Sequence, residues 1–408
     1  MTVAVEARAP LATLLRPATI RERSRNILAA AEAGKTRHFD VDRSKLAAAA
    51  DLVAGVTRRR YPSLAIPYHS RWRHFEAGGV DRGALLTHAL SGRDAAECAR
   101  ARIDLAVVSV LLDAGAGAAW RYLDAATGQR FARSEGLGVA SFHAFMGGVF
   151  SADRRDPLRV DAAALAQIDA AALRGVFQAD AANPLVGIEG RAALLRRLGA
   201  ALTSQRASFA GRARPGGLYD ALTASSAGTL RACDLLRALL DGLNAIWPAG
   251  NVHEGVALGD AWRHPHAGGA GASAGWVPFH KLSQWLAYSL FEPFEWAGVS
   301  MVERDALTGL PEYRNGGLLL DTGVLALRDP SAAEVVHDVG SELVIEWRAL
   351  TVALIDLLAD AVRAALGRPD LPLACVLEGG TWAAGRECAQ ALRDGDPPLA
   401  IRSDGTVF

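Results

Sequence analysis

Along most of this chain, apolar residues recur three and four positions apart, with arginines on the opposite face. That spacing is the signature of amphipathic helices sharing a core. The stretches "SKLAAAADLVAGVTRRR" (44–60), "AAECARARIDLAVVSVLLDAG" (95–115), "DAAALAQIDAAALRGVF" (161–177), "EGRAALLRRLGAALTSQ" (189–205) and "GTLRACDLLRALLDGLNAIW" (228–247) all carry it. Further on, "FHKLSQWLAYSLFEPFEWAG" (279–298) and the long "SELVIEWRALTVALIDLLADAVRAALG" (341–367) read the same way, the second stopped by Gly367 with Pro369 beyond it. Strand-like material is sparse: "GGLLLDTGVLAL", "PLACVLEG" and the terminal "PLAIRSDGTVF" are short and bounded by Gly, Pro or Asp. The pattern predicts a mostly α fold with a few short β-strands, as one helical domain or as two tightly packed helical subdomains, approximately 1–250 and 251–408. No repeat, heptad series or low-complexity tract interrupts it, and "HPHAGGAGASAGW" (264–276) is the most linker-like stretch, a loop or a lid.

Composition narrows the partners. The 408 residues are 50% hydrophobic and 22% charged, and Lys+Arg and Asp+Glu balance at 44 each. No global field therefore draws the protein to nucleic acid or to a membrane surface. The most apolar run, "IDLAVVSVLL", is too short to span a bilayer, and the first residues lack a continuous apolar signal core. Four scattered cysteines without C-x-x-C spacing argue against a zinc site or a disulfide framework and fit a cytoplasmic protein.

Chemistry-bearing residues gather in four places. In "YPSLAIPYHSRWRHFEAGGVDR", Pro62 and Pro67 prevent a continuous helix before His69, Arg71, Trp72, Arg73, His74 and Phe75. Arginines beside rings suit an anionic, partly planar ligand, and buried ion pairs produce the same pattern. "NVHEGVALGDAWRHPHAGG" offers His253, Glu254, Asp260, His264 and His266 to a metal, without the spacing of a helical zinc motif. Lys281 and Gln284 share one face of a helix, Lys281 as a surface lysine or as a buried cation aimed at an anion. Glu346 and Arg348, two apart on an apolar helix, face different ways, so burial obliges each to find a partner. "GLPEYRNGG" sets Glu312, Tyr313, Arg314 and Asn315 between a proline and two glycines, reading as a rigidly entered turn. Near the end, "GGTW" reads as a helix start with Thr381 as its cap.

Taken together, "HFDVD", "YPSLAIPYHSRWRHFEAGGVDR", "LTGLPEYRNGGLLLDTGVL", "EGGTWAAGRE" and "SDGTVF" resemble the Urc/Urg uracil catabolism proteins of the reductase-independent pathway in fungi and bacteria. The resemblance runs from near residue 15 to the last residue. It implies a pathway in which a cyclohydrolase-like partner enzyme opens the ring of a uracil riboside and leaves a ribosylurea to be taken apart. More distantly, the order of "FHKLSQW", "LTGLPEYRNGG" and "GSELVIEWRAL" is similar to the queuosine-5′-phosphate glycosidase family, with its F-Y-K-R-A-Q, L-T-x-F-A-D-Y-R-V-P-Q and E-I-R-A motifs. That likeness implies a helical fold related to helix-hairpin-helix DNA glycosylases, and hydrolysis of an N-glycosidic bond. It sets Lys281 and Gln284 at the first motif, Glu312, Tyr313 and Arg314 at Asp-Tyr-Arg, and Glu346 and Arg348 at Glu-Ile-Arg. Glu312 stands in for Asp, and Asn315-Gly316-Gly317 for Val-Pro-Gln, which fits a leaving group smaller than a deazaguanine.

The expectation is an N-ribosyl hydrolase acting on a nucleoside- or nucleotide-derived small molecule, with no cofactor and no metal. Glu312, Lys281 and Arg314 would be catalytic; His69, Arg71, Trp72, Arg73, His74, Phe75, Tyr313, Gln284, Asn315, Glu346 and Arg348 would bind substrate. Two other readings stand beside it: a metal-dependent amidohydrolase or ring-opening enzyme using the His253 to His266 cluster, and a non-catalytic scaffold holding an intermediate for the same pathway.

Overall fold

The computed structural model describes residues 11–113, 115–224, 226–247 and 251–402. The terminal "SDGTVF" lies outside them. The fold is mostly α, as the periodicity predicts, and its strands are two- or three-residue pieces paired two by two. The chain forms two compact units, interleaved rather than consecutive: residues 11–69, 251–284 and 303–402 make one, and residues 70–247 with 285–302 the other. No helix among the described residues is long and apolar enough to cross a membrane.

The first unit is organised by the helix Glu342–Leu366, against which Pro17–Glu32 and Leu46–Arg60 both pack. Ser341 caps its start, with Oγ accepting from the Val344 N–H, and Gly367 ends it at φ 68, a left-handed conformation that costs glycine little. Residues on every face of its first half are buried, including Ile345, Glu346, Trp347, Arg348 and Thr351. Beside it the helix Tyr313–Asp321 packs on Trp382–Arg393. Phe39–Val41 pairs antiparallel with Leu325–Leu327, Ala261–Arg263 antiparallel with Trp276–Pro278, and Val336–Asp338 parallel with Ala400–Arg402. The linker-like 264–276 is the loop of the Ala261–Pro278 hairpin.

In the second unit the buried helix Ala95–Leu112 packs on Arg133–Met146 and Gly217–Thr223, and Ile188–Ser204 packs on Ala162–Gln167. Tyr122–Asp124 forms a hairpin with Gln129–Phe131.

Four local expectations change. The continuous helix read over 161–177 is two, because Asp169 leaves the helical region and caps Ala170–Phe177 with its side chain. "GTLRAC" begins with a strand, Thr229–Arg231, paired parallel with Ser300–Val302. "GGLLLDTGVLAL" is helical up to Asp321 and a strand only at Leu325–Leu327. "PLACVLEG" is not a strand: Leu373–Val376 is α-helical and Leu377–Thr381 is a π-helical turn running on into Trp382–Arg393. Thr381 therefore sits inside a helical run with no capping hydrogen bond. Apolar runs of this length do not distinguish a buried helix from a buried strand.

The contact between Tyr313–Asp321 and Trp382–Arg393 depends on Gly385, where a Cβ would lie 2.1 Å from the Arg314 carbonyl oxygen. Gly385→Ala is expected to destabilise the protein by roughly 1–3 kcal/mol. Gly175→Ala, on an exposed helix with open space, should instead stabilise by up to about 1 kcal/mol. Denaturant unfolding of the two variants, read against the parent, checks both signs.

Candidate active site

"GLPEYRNGG" is not a free turn but the start of a helix. Glu312 is its N-cap, in an extended conformation at φ −121 and ψ 163. Its Oε2 accepts from the Arg314 N–H at 2.8 Å and its Oε1 from the Asn315 N–H at 2.6 Å. Both carboxylate oxygens are thus fixed by the backbone, at the end of the helix where the dipole favours an anion. Asn315 Nδ2 donates to the Leu310 carbonyl at 3.1 Å, tying the entry segment to the first turn. The two glycines work by closeness rather than freedom: a Cβ on Gly316 would meet the Trp347 ring at 2.7 Å, and one on Gly317 the Pro398 ring at 3.2 Å.

Half-buried, Glu312 feels two opposed effects. Removal from water pushes its carboxyl above the ordinary range, while the Arg314 and Asn315 N–H groups and the charges of Lys281 and His69 pull it back only part of the way. The Arg314 guanidinium lies over the Tyr313 ring at 4.7 Å and donates to the Gly395 carbonyl at 3.2 Å.

His69 is buried; its charge acts on Glu312, and its ring is bonded to a second carboxylate. Its Nδ1 is 2.9 Å from Glu378 Oε2, and its ring faces Trp382 with centroids 6.1 Å apart. Glu378 also accepts from Arg60 Nη2 at 2.9 Å and from the Tyr61 hydroxyl at 3.0 Å. Burial alone would raise this carboxyl, but the hydrogen bonds and charges of His69 and Arg60 outweigh it and hold it down to about 2. An ionised carboxylate can only accept, so Nδ1 donates to it and carries the proton. Glu378 lies in the π-helical turn, a distortion frequent at functional sites because it re-aims side chains. Sequence reasoning missed it; the Gly379-Gly380 pair beside it, where added Cβ atoms would press on Thr57, Ile66 and Val53, was the available signal.

The same unit holds further buried polar residues. Gln284 accepts from the Thr308 N–H at 3.0 Å and donates to the Phe279 carbonyl and the Thr308 hydroxyl, so it braces the approach to Glu312. Arg348 forks onto Asp260 with 2.8 and 2.7 Å bonds, and Asp260 also accepts from Trp262 Nε1 and from the Lys281 backbone N–H at 3.1 Å. Burial opposes ionisation of Asp260, but Arg348 prevails and holds it down to about 2. Glu346 points elsewhere: its Oε1 accepts from the Phe39 N–H at 3.1 Å, and His264 Nε2 stands 3.8 Å from its Oε2. The two residues do face different ways and do find internal partners.

The arginine-rich row divides after His69. Arg71 through Phe75 lie in the second unit and are engaged there: Arg71 with Ser109, Asp113 and the Ser134 carbonyl, Trp72 with the Ser289 carbonyl, Arg73 with Glu292 and Glu76. His74 stands edge-on to Trp285 and Phe75 is wholly buried. These are internal contacts, and Trp72 and Arg73 also border an open cavity of about 740 Å³ with Asp81, His88, Arg102 and Trp296.

Of the histidines that the alternative, metal-dependent reading uses, His264 and His266 stand together with ring centroids 5.8 Å apart. His253 packs beside Trp276, His266 Nε2 meets the Lys35 carbonyl, and His264 Nδ1 accepts from the His266 N–H. Among the described residues, the group with metal-ligand geometry is instead His38, Glu342 and Glu346.

The chain belongs to the family described as "Protein of unknown function (DUF1688)", which matches residues 13–408. Two relatives extend over nearly the whole chain. Protein urg3 of Schizosaccharomyces pombe (strain 972 / ATCC 24843) is 41% identical over 98% of this chain and 99% of its own. Uracil catabolism protein 4 of Lachancea kluyveri is 39% identical over 92% of this chain and 93% of its own.

Glu378 and Asp260 both have folded-state values near 2, below the ordinary 4.5 and 3.8. Groups depressed in this way stabilise the fold above the unfolded value and lose that contribution as pH falls toward the folded one. Stability should therefore decline between about pH 4.5 and 2. Glu378→Gln should flatten the decline by an amount on the order of 3 kcal/mol, measured as unfolding free energy against pH.

Proposed function

We propose that this protein acts in uracil catabolism as an N-ribosyl hydrolase, cleaving ribosylurea or its 5′-phosphate to urea and ribose or ribose 5-phosphate. The pathway part rests on the near full-length likeness to a protein named for uracil catabolism. The reaction part rests on one observation: a half-buried carboxylate, Glu312, locked by two backbone N–H groups and acted on by the charges of Lys281 and of a histidine that a second, ionised carboxylate orients.

Hydrolysis of an N-riboside breaks the bond from the anomeric carbon to nitrogen, and the sugar passes through an oxocarbenium-like state. A water oxygen forms the new bond to that carbon, and the electron pair of the broken bond leaves with the urea nitrogen. Glu312 stabilises the positive sugar and takes the proton of the water, a role that its fixed geometry suits because nothing must reorganise during the step. His69, held by Glu378, supplies a proton to the leaving nitrogen from Nε2. The environments of the two glutamates separate their tasks: burial raises one carboxyl, and the other is kept charged. Lys281 balances the charge of Glu312.

The test is to incubate the protein with ribosylurea and, separately, with its 5′-phosphate, following urea and the sugar by mass spectrometry. Release of urea with the matching sugar is expected from one of the two, and the arm that reacts identifies the phosphorylation state. Glu312→Gln should lower kcat by roughly 10²–10⁴-fold with KM little changed. Saturable binding of either compound without urea would favour a scaffold in its place. Wild-type turnover in Glu312→Gln would remove Glu312 from the mechanism.

A further inference from the structure

On the helix Glu342–Leu366, Glu342 and Glu346 are four residues apart and so lie on one face. His38 reaches that face from the segment leading into the strand Phe39–Val41. The His38 backbone is held on both sides: its carbonyl accepts from the Arg328 N–H at 3.0 Å, and its N–H points to Glu346 Oε1 at 3.4 Å. One ligand atom from each of His38, Glu342 and Glu346 lies within 4.8 Å of the others. His38 and Glu342 are half-buried and able to adjust, whereas Glu346 is wholly buried.

Glu346 Oε2 supplies the second, independent observation. Its sister oxygen is satisfied by the Phe39 N–H, whereas Oε2 is buried and makes no well-formed hydrogen bond, although the His264 ring and the Thr36 hydroxyl stand beside the carboxylate and favour its charge. His264 Nε2, at 3.8 Å, is beyond a hydrogen bond and is itself unsatisfied. His264 is not a fourth ligand, because its Nδ1 accepts the His266 N–H and the proton of the neutral ring then sits on Nε2. A buried carboxylate oxygen that lacks a well-formed hydrogen bond is costly, and a bound cation would offset that cost. The cation nearest Glu342 is Arg37 at 3.6 Å, a 77% exposed side chain whose ion pair is weak enough for a bound metal to displace.

We propose that His38, Glu342 and Glu346 bind one divalent first-row transition-metal ion. One imidazole and two carboxylates suit Zn²⁺ or Mn²⁺ better than Mg²⁺, which prefers oxygen and water, and three protein ligands leave a position open to solvent. The site ties the start of the long helix to the Phe39–Val41 strand, and the proposed hydrolysis makes no use of it.

The experiment uses the full chain after chelator treatment, titrated with Zn²⁺, Mn²⁺ and Mg²⁺ by calorimetry, with thermal unfolding followed in parallel. Uptake of one equivalent of Zn²⁺ or Mn²⁺, weaker uptake of Mg²⁺ and a rise in Tm with the bound metal are expected. His38→Ala and Glu342→Gln, at half-buried positions that spare the core, should each abolish uptake, while His253→Ala should keep it. Failure of the parent protein to bind an equivalent, uptake that survives both His38→Ala and Glu342→Gln, or uptake that requires His253, would each overturn the assignment. Because the readouts are binding and Tm, they stand whether or not urea is released from a ribosylurea.

Discussion

The arrangement of the first unit turns on the buried fork between Arg348 and Asp260. A helix as apolar as Glu342–Leu366 cannot bury a guanidinium without an anion, since the unpaired charge would cost several kcal/mol. Asp260 meets that demand from the edge of the Ala261–Pro278 hairpin and is itself completed by the Trp262 indole and the Lys281 backbone N–H. Replacing the pair with apolar residues of similar size could leave stability unchanged; what it would remove is direction. The same two charges fix where the hairpin meets the long helix and where the helix bearing Lys281 begins, and the charge of Lys281 acts on Glu312.

Direction of this kind also explains the contrast between the two glutamates. Glu312 and Glu378 are the same side chain, both removed from water and both in contact with the influence of His69. They differ in what answers their charge. Glu378 has a guanidinium, an imidazole and a phenol against it and remains an anion under all ordinary conditions. Glu312 has backbone N–H groups and more distant cations, which do not fully repay its burial. A carboxyl poised in this way costs the fold something, as groups arranged for proton transfer commonly do.

Much of this could be read from the sequence, and the limits have physical causes. Helices showed because their apolar positions repeat over three or more turns, as in Leu46–Arg60 and Glu342–Leu366. Short apolar runs such as "PLACVLEG" failed because length is what separates a buried helix from a strand, and that run joins a longer helical segment only through a π turn that no pattern announces. Pro311 and Glu312 marked a fixed entry, but Gly316 and Gly317 misled: glycine can mean freedom or close approach, and the ring of Trp347 that decides between them is 31 residues away in the chain. Arg71 and Arg73 are held in ion pairs, and in sequence such a network has the same composition as a ligand cradle. His253, His264 and His266 looked like a metal set because nearness in sequence was the available measure.

The residues that sequence spacing could not assemble are those whose partners come from distant segments. Glu378 meets His69 across 309 positions, and Glu346 meets Phe39 across 307. In each case one carboxylate oxygen is committed to a fixed donor, and the second determines what the site can do. At Glu378 the second oxygen is also answered, by Arg60 and Tyr61, and the result is a charge that orients an imidazole. At Glu346 the second oxygen makes no well-formed hydrogen bond, and the carboxylate stands within metal-ligand reach of a half-buried histidine and a second glutamate, a position that a cation completes. The distinction lies in hydrogen-bond accounting rather than in residue type, which is why two buried glutamates on helices of one unit can serve such different ends.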